Sequence, residues 1–189
     1  MYSILVVYAN RYGSTAEIAQ EIAETLEKNE MEVELIDLKD SVKIPSLDYY
    51  DGILVGTGIR MGRWIKEALK FLKQKREILR NKFLGIFISS VEAANPNTYE
   101  MAKQKYIEKI LLKTSINSDR VMKEAFGGIF DFSMNSNYNY IEKKILQRIA
   151  QTRDDGFIVH DGKLNDFRNW QRIRNWATDF SNLIKSNNS

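Results

Sequence analysis

The hydrophobic and polar positions of this chain alternate between short apolar runs and longer stretches with helical spacing. The apolar runs predict buried strands at residues 4–8, 33–38, 53–56, 83–89 and 121–126. Apolar residues three and four positions apart predict helices at residues 15–28, 65–79, 98–112, 140–151 and 164–184. Strands separated by helices are typical of parallel βαβ units with right-handed crossovers, so the pattern predicts an α/β fold.

A polar loop, residues 9–15, separates the first predicted strand from the first predicted helix. In such an arrangement the N–H groups of the loop and of the first helical turn converge without partners, and the helix dipole adds partial positive charge. Asn10, Ser14 and Thr15 supply side-chain donors to the same place. The sequence therefore predicts a bound phosphate. Because parallel sheets bind ligands beyond the carboxyl ends of their strands, the loops after strands 1, 3 and 4 are expected to form one site.

Composition narrows the class of protein. The 189 residues suffice for one domain with a substantial core, and 43% of them are hydrophobic, as in soluble globular proteins. The lack of cysteine excludes disulfides and thiolate metal sites, and a single histidine, His160, argues against a zinc site or a Ser-His triad. We expect no metal. Because no apolar run approaches the roughly 20 residues of a spanning helix, we expect a cytoplasmic protein, with peripheral contact at the inner membrane face left open.

Charge is distributed unevenly along the chain. Residues 1–51 contain four Lys/Arg against eleven Asp/Glu, whereas residues 60–82 contain nine Lys/Arg against two Glu. A solvated helix face is one interpretation of the basic segment. A surface for an acidic substrate, an anionic partner or lipid head groups is the other.

Several α/β families are excluded by the residues in these loops. The chain has no Gly-x-x-x-x-Gly-Lys-Ser/Thr loop, and the loop after strand 1 contains a single glycine, Gly13, instead of Gly-x-Gly-x-x-Gly. A receiver domain needs an acidic pair after strand 1 and an aspartate that ends strand 3, and neither is present. A thioredoxin-like protein needs cysteines.

The first loop resembles the FMN-phosphate loop of flavodoxins. The resemblance is carried by Tyr8, Asn10, Gly13 and Thr15, followed by Ala19 and Ile22 on the helix. Asn10 departs from the family, which usually has Ser or Thr there, although its amide is also a donor. The resemblance implies one flavodoxin-like domain over residues 1–189, with a three-layer α/β/α fold, a five-stranded parallel sheet in the order 2-1-3-4-5, and FMN as cofactor.

Two further segments resemble the menaquinone-dependent protoporphyrinogen oxidases, which are flavodoxin-like. One is the loop after strand 3, residues 56–64, with its Ile-Arg-Met-Gly sequence. The other follows strand 5 and comprises Gly127-Gly128, an aromatic-rich loop, a basic amphipathic helix at residues 141–149, and Thr152-Arg153-Asp154. The basic pI of about 8.9 also departs from flavodoxin electron carriers, which are usually acidic.

The resemblance implies three groups of FMN-binding residues. For the phosphate they are Asn10, Arg11, Tyr12, Gly13, Ser14 and Thr15, with Arg11 interpreted as a solvated or partly engaged cation. For the isoalloxazine ring they are Thr57, Gly58, Ile59, Arg60, Met61, Gly62 and Trp64. For the pyrimidine edge they are Ser89, Ser90, Val91, Glu92 and Ala93. No general acid or base is assigned.

Some of these roles have alternatives that the sequence leaves open. Trp64 is the first candidate to stack on the ring and Tyr99 the second, but packing at the start of the following helix suits Trp64 equally well. Near the pyrimidine edge, Glu92 disfavours an anionic reduced flavin and Arg60 favours one.

The substrate and the membrane are also open. Arg60, Arg63 and Lys66 suit porphyrinogen propionates, or they form a solvated helix start. Residues 138–149 suit contact with a membrane that holds a quinone, or docking on the protein surface.

The resulting hypothesis is an FMN-dependent oxidoreductase of the protoporphyrinogen oxidase type. It takes electrons from a small-molecule reductant, such as a porphyrinogen, and passes them to a quinone or a protein acceptor. The alternatives are a flavodoxin-class electron carrier with a protein redox partner and no small-molecule substrate, and a non-catalytic binding module. No nucleic-acid partner is expected, and the oligomeric state is left open.

Overall fold

The computed structural model of the chain describes residues 1–40, 44–116, 120–133, 140–141, 143–144, 160 and 162–187. The strands are β1 (Tyr2–Ala9), β2 (Met31–Asp37), β3 (Gly52–Arg60), β4 (Arg63–Trp64), β5 (Phe83–Ser89), β6 (Val121–Phe126), β7 (Ile129–Asp131) and β8 (Leu164–Asp166). The helices are α1 (Ser14–Lys28), α2 (Lys66–Leu79), α3 (Tyr99–Ala102), α4 (Lys109–Thr114) and α5 (Trp170–Asn187). A π-helical segment, Lys103–Glu108, joins α3 to α4, and 3-10 turns form at Leu47–Tyr49 and Glu92–Ala94.

The main sheet is parallel and has the order β2-β1-β3-β5-β6. The predicted order 2-1-3-4-5 is therefore confirmed, since the two-residue β4 pairs only with the end of β3. The alternating polar residues of β2 fit its place at the sheet edge, which the expected strand order implies, because one side of an edge strand meets solvent.

Helices cover both faces of the sheet, which gives three layers. On β1, Ile4 and Val6 face one hydrophobic cluster with α1 and α5, while Leu5 and Val7 face another with α2, the π-helical segment and α4. Because β1, β3 and β5 are apolar on both faces, their sequences form the continuous hydrophobic runs from which they were predicted. Among the described residues, no helix is long and apolar enough to cross a membrane.

Two antiparallel strand pairs were not predicted. Strand β3 continues to Arg60 and turns back as β4, so this region is longer and more regular than the predicted strand at 53–56. Strands β7 and β8 pair antiparallel although they are far apart in the chain. The predicted start of the last helix at residue 164 is therefore wrong, because residues 164–166 form β8 and the helix begins at Trp170.

Other predicted elements fall largely on residues that are not described. They are the loop at 133–139, most of the helix at 140–151 and most of the loop at 152–163.

Where β8 begins, the buried Asn165 donates its amide to the carbonyl oxygens of His160, Lys163 and Phe130, at 2.9, 3.0 and 3.3 Å. This one side chain fixes the return of the chain onto β7.

Candidate functional site

A cleft that is open to solvent lies beyond the carboxyl ends of β1, β3 and β5. The predicted loops after these strands meet there, as parallel topology requires. The residues that line it are Asn10, Arg11, Tyr12, Ser14, Thr15, Gly58, Ile59, Arg60, Met61, Gly62, Ile65, Ser89, Ser90, Val91, Glu92, Gly128, Ile129 and Phe130.

The loop after β1 is shaped by Asn10 and Gly13. The Asn10 Oδ1 atom accepts a hydrogen bond of 3.0 Å from the Gly13 N–H and closes a short turn. Gly13 has φ +102°, a conformation that side-chain-bearing residues rarely adopt, and its carbonyl begins α1 by accepting from Ala16 N–H. With its oxygen engaged in the turn, Asn10 has its amide NH₂ left to donate toward the cleft.

Thr15 lies in the first turn of α1 and presents its hydroxyl to the cleft. The residue is only 2% exposed, and its side chain forms no hydrogen bond to any residue that the structure describes. A Cβ atom at Gly58 would lie 3.1 Å from Thr15 Oγ1, so the glycine keeps the space beside this hydroxyl open. The hydroxyl is accessible from the cleft, and a phosphate oxygen at the helix N-terminus suits it as a partner.

Ser14 links three segments beneath the cleft. Its Oγ lies 3.2 Å from Ser89 Oγ and accepts a 3.3 Å hydrogen bond from Ile129 N–H. A Cβ atom at Gly128 would lie 2.7 Å from Ser89 Oγ, so only glycine fits this position without displacement. The predicted donor Ser14 is therefore shared between the cleft and the β6–β7 connection.

The hairpin between β3 and β4 forms one wall of the cleft. Its two turn residues, Met61 and Gly62, have φ values of +48° and +73°, as in a type I′ turn. Behind it, Thr57 is fully buried, and its Oγ1 accepts a 3.2 Å hydrogen bond from Ile65 N–H. Thr57 therefore supports the wall without lining the cleft.

Trp64 lies in the core and not in the cleft. The residue is 8% exposed, and its Nε1–H donates to the carbonyl of Tyr106 at 2.8 Å. This corrects the expectation that Trp64 stacks on a ring, and it agrees with the packing alternative. Tyr99 is also engaged elsewhere, because its hydroxyl donates to Glu124 and its ring lies 3.7 Å from the Arg172 guanidinium.

Glu92 lines the cleft but its carboxylate is bound on the side of the π-helical segment. It accepts hydrogen bonds from the Tyr106 hydroxyl at 2.6 Å and from Lys105 Nζ at 3.2 Å. Burial raises the pKa of Glu92, but the hydrogen bonds and the charge of Lys105 outweigh it and hold that pKa below its ordinary value. The carboxylate is thus ionised and locally paired, which weakens its expected influence on a ring in the cleft.

Tyr106 consequently holds two of the cleft's loops at once. Its carbonyl accepts from Trp64 at the end of the hairpin, and its hydroxyl donates to Glu92 in the loop after β5. The residue belongs to the π-helical segment, a distortion that is frequent at functional sites. Nothing in the sequence pattern singles out Tyr106, because it is an apolar position on a predicted helix.

Fourteen of the eighteen predicted site residues line the cleft. The exceptions are Gly13, Thr57, Trp64 and Ala93. Gly13 and Thr57 shape the loops behind the surface, and Ala93 N–H donates to Ser90 Oγ at 3.1 Å, which closes the turn after β5.

The sequence interpretation missed Ile65, Gly128, Ile129 and Phe130. The glycine pair that follows β6 was noted, but the β7–β8 pairing and the contact of Ile129 with Ser14, which bring the residues after it to the cleft, were not predicted. Phe130 is 8% exposed and packs on Phe167 and Val91, so it forms an apolar end wall.

The cleft therefore combines two chemical environments. One end has unpaired helix N–H groups and the Thr15 hydroxyl, which suit a phosphate. The other is bounded by the hairpin, Ile65 and Phe130, which suit a flat apolar ring that presents polar edges to backbone groups. Arg11 and Arg60 are the cationic side chains in the lining, so an anionic ligand is favoured.

Comparisons with known proteins agree with this geometry. A family model described as "Flavodoxin domain" matches residues 5–157. The chain is 20% identical to the protoporphyrinogen IX dehydrogenase [quinone] of Escherichia coli (strain K12), over 95% of this chain and 94% of that protein.

Solved structures with low identity resemble it in fold. A WrbA-like flavodoxin from Agrobacterium tumefaciens has a TM-score of 0.56 at 16% identity, over 98% of this chain and 99% of that one. A Fusobacterium nucleatum flavodoxin bound to flavin mononucleotide has a TM-score of 0.50 at 16% identity, over 99% of each chain.

Proposed function

This chain belongs to the flavodoxin family, and we propose that it is an FMN-dependent oxidoreductase that oxidises a porphyrinogen-type substrate and passes the electrons to a quinone. The family match and the structural neighbours support the class of FMN-binding, flavodoxin-like oxidoreductases. The finer assignment is supported by the whole-length similarity to a quinone-linked protoporphyrinogen dehydrogenase.

The observation that carries FMN binding is the Thr15 hydroxyl. It has no protein partner among the described residues, it is accessible from the cleft, and it faces the space that Gly58 keeps free at the N-terminus of α1. The FMN phosphate would be held there by Thr15, the Asn10 amide and the backbone N–H groups of Ser14 and Thr15 in the first turn of α1. Such N–H groups are ready for an anion because the helix leaves them unpaired.

The apolar end of the cleft fits the isoalloxazine ring. Ile59, Ile65 and Phe130 would contact its faces and exclude water, and the backbone of the hairpin at Met61-Gly62 would approach its edge. FMN supplies the chemistry of accepting and releasing electrons, and the chain's residues position it and set its surroundings. Because Lys105 and Tyr106 hold the Glu92 carboxylate, its negative charge acts less on the proposed ring site.

The substrate side of the proposal rests on charge at the cleft. Arg11 and Arg60 line it, and Arg63 follows at the exposed end of the hairpin. Arginine forms short, directional pairs with carboxylates, so these side chains suit the propionate groups of a porphyrinogen. The cleft is open to solvent, which leaves a bulky substrate access to the ring without entering the core.

An absorption spectrum of the purified protein with added FMN, followed by anaerobic addition of protoporphyrinogen, tests the proposal. We expect stoichiometric FMN and loss of flavin absorbance on addition of the substrate, with reoxidation by a quinone. Bound FMN that protoporphyrinogen leaves oxidised would refute the substrate and favour an electron carrier with a protein partner. A protein that stays colourless in excess FMN would refute the cofactor and favour a binding module.

A further inference from the structure

One side of the molecule carries a surface that we call the basic face. Its members on β4 and α2 are Arg63, Lys66, Lys70 and Lys73, and its members on α4 are Lys109 and Lys113. All six residues are exposed. Helices α2 and α4 pack on the same hydrophobic cluster and contact each other, so these side chains share one face of the fold. With 14 residues, α2 extends this face by about 21 Å.

The charges of the basic face are poorly compensated. Within the described part of the chain, the ion pair recorded for these six residues joins Lys66 to Glu67, at 3.6 Å with the lysine side chain 91% exposed. An exposed pair of this kind contributes little. The face therefore presents a positive field to solvent.

The opposite face of the sheet is arranged differently. There Arg168 pairs with Glu17 at 2.6 Å, and Arg174 pairs with Glu21 at 3.0 Å. These arginines of α5 and the segment before it neutralise the acidic outer side of α1. On the α2 side, Arg76 and Arg80 likewise pair with Glu77 at 2.9 Å, so the uncompensated charge of this helix is concentrated in its first two turns.

Exposed apolar side chains accompany the basic face. Met61 is 64% exposed at the tip of the cleft hairpin, two residues before Arg63, and Leu112 is 67% exposed on α4 beside Lys113. Positive charge around exposed aliphatic side chains is typical of proteins that lie on a membrane surface.

We propose that the basic face binds an anionic lipid surface. Five of its six members are lysines, and the aromatic residues of the same elements, Trp64 and Phe71, are buried. Protein–protein interfaces, in contrast, are enriched in aromatic residues and arginine and depleted of lysine. Lysines near an anionic bilayer each add attraction without a fixed geometry. The consequence for the quinone rests on the proposed function: this orientation brings the Met61 hairpin, and with it the cleft, to the bilayer in which a quinone dissolves.

Sedimentation of the full chain with lipid vesicles tests the proposal without using the flavin. The vesicles are phosphatidylcholine alone, or phosphatidylcholine mixed with phosphatidylglycerol. The test variant combines Lys66→Gln, Lys70→Gln and Lys73→Gln. The control variant combines Lys28→Gln, Lys39→Gln and Lys163→Gln, which remove the same charge from exposed positions elsewhere.

We expect binding only to the vesicles with phosphatidylglycerol, and weaker binding as salt is added. Each lysine near the anionic bilayer strengthens membrane binding about fivefold. The test variant should therefore bind the vesicles on the order of 100-fold more weakly, while the control variant binds nearly as the unmodified chain does. Equal loss in both variants, or no binding to phosphatidylglycerol, would overturn the proposal. So would retention on immobilised polyglutamate without vesicle binding, which would indicate an acidic protein partner. Vesicle binding by a chain that fails to take up FMN would leave this proposal standing and refute only the proposed function.

Discussion

Tyr106→Phe removes one oxygen atom from the residue that holds two cleft loops. The Tyr106 hydroxyl donates to Glu92, while the Tyr106 carbonyl, which the substitution keeps, accepts from Trp64. Burial and the hydrogen bond to Glu92 raise the pKa of Tyr106 to about 12, so the hydroxyl remains a donor at neutral pH. The change therefore isolates the link to the loop after β5.

The expected cost follows from the contacts that remain. A hydrogen bond to a charged group contributes about 1.5–3 kcal/mol. Lys105 stays 3.2 Å from the Glu92 carboxylate and keeps it paired, so we expect the lower end, a loss of about 1.5 kcal/mol in the free energy of unfolding. If the loosened loop must be ordered again when FMN binds, at about 1 kcal/mol, the FMN affinity falls about fivefold.

Urea unfolding of the apoprotein and FMN titration by fluorescence quenching measure the two effects. Tyr50→Phe is the matched control, because the Tyr50 hydroxyl also donates to a carboxylate, that of Glu34, at the sheet edge away from the cleft. The control should lose stability and keep its FMN affinity. If Tyr106→Phe also leaves FMN affinity unchanged, then Tyr106 does not hold the cleft loops for the cofactor.

Three further predictions concern the cleft. Thr15→Ala should weaken FMN binding by about 10- to 100-fold in an FMN titration, because a hydrogen bond to a charged phosphate is lost. Thr25→Ala on the same helix is the control: its hydroxyl donates to a backbone carbonyl, so the affinity for FMN should stay unchanged. Gly13→Val imposes φ +102° on a β-branched residue and should cost at least about 1–3 kcal/mol in urea unfolding; equal stability would show that the loop relaxes freely. The pKa of Glu92 is lower in the folded chain than in the unfolded chain, so in acid the unfolded chain binds the extra proton. Ionised Glu92 therefore stabilises the fold fully above its ordinary pKa of 4.5, and this stabilisation is lost as pH falls through the folded pKa. Glu92→Gln should therefore flatten the fall of unfolding free energy in that acidic range, and an unchanged slope would contradict the assignment.

The fold was predictable because its signals are local or follow from topology. Continuous apolar runs predicted β1, the first part of β3, and β5, and the expected strand order placed β2 at the edge. The hairpin at Met61-Gly62 was missed because a methionine in the left-handed region is unusual for a turn. The β7–β8 pairing was missed because its two three-residue strands lie far apart in the chain and carry no periodicity of their own.

The cleft residues were predictable where the backbone sets the chemistry, as in the loop from Asn10 to Thr15. The role of Trp64 could not be predicted, because an indole beside a glycine turn suits stacking and packing equally until the partner of its N–H is known. The roles of Glu92 and Tyr106 depend on a contact between two elements that only the folded chain brings together.

The π-helical segment has a consequence for how related sequences should align. A π turn spaces its hydrogen bonds one residue wider than an α-helix, so it behaves as a one-residue insertion in a helix. A relative with one residue fewer between Lys103 and Glu108 would close this segment into a regular α-helix and keep the side chains of α4 in place. That relative would lack the bulge that carries Tyr106, and a single alignment gap at this point would mark a different means of holding the cleft loops.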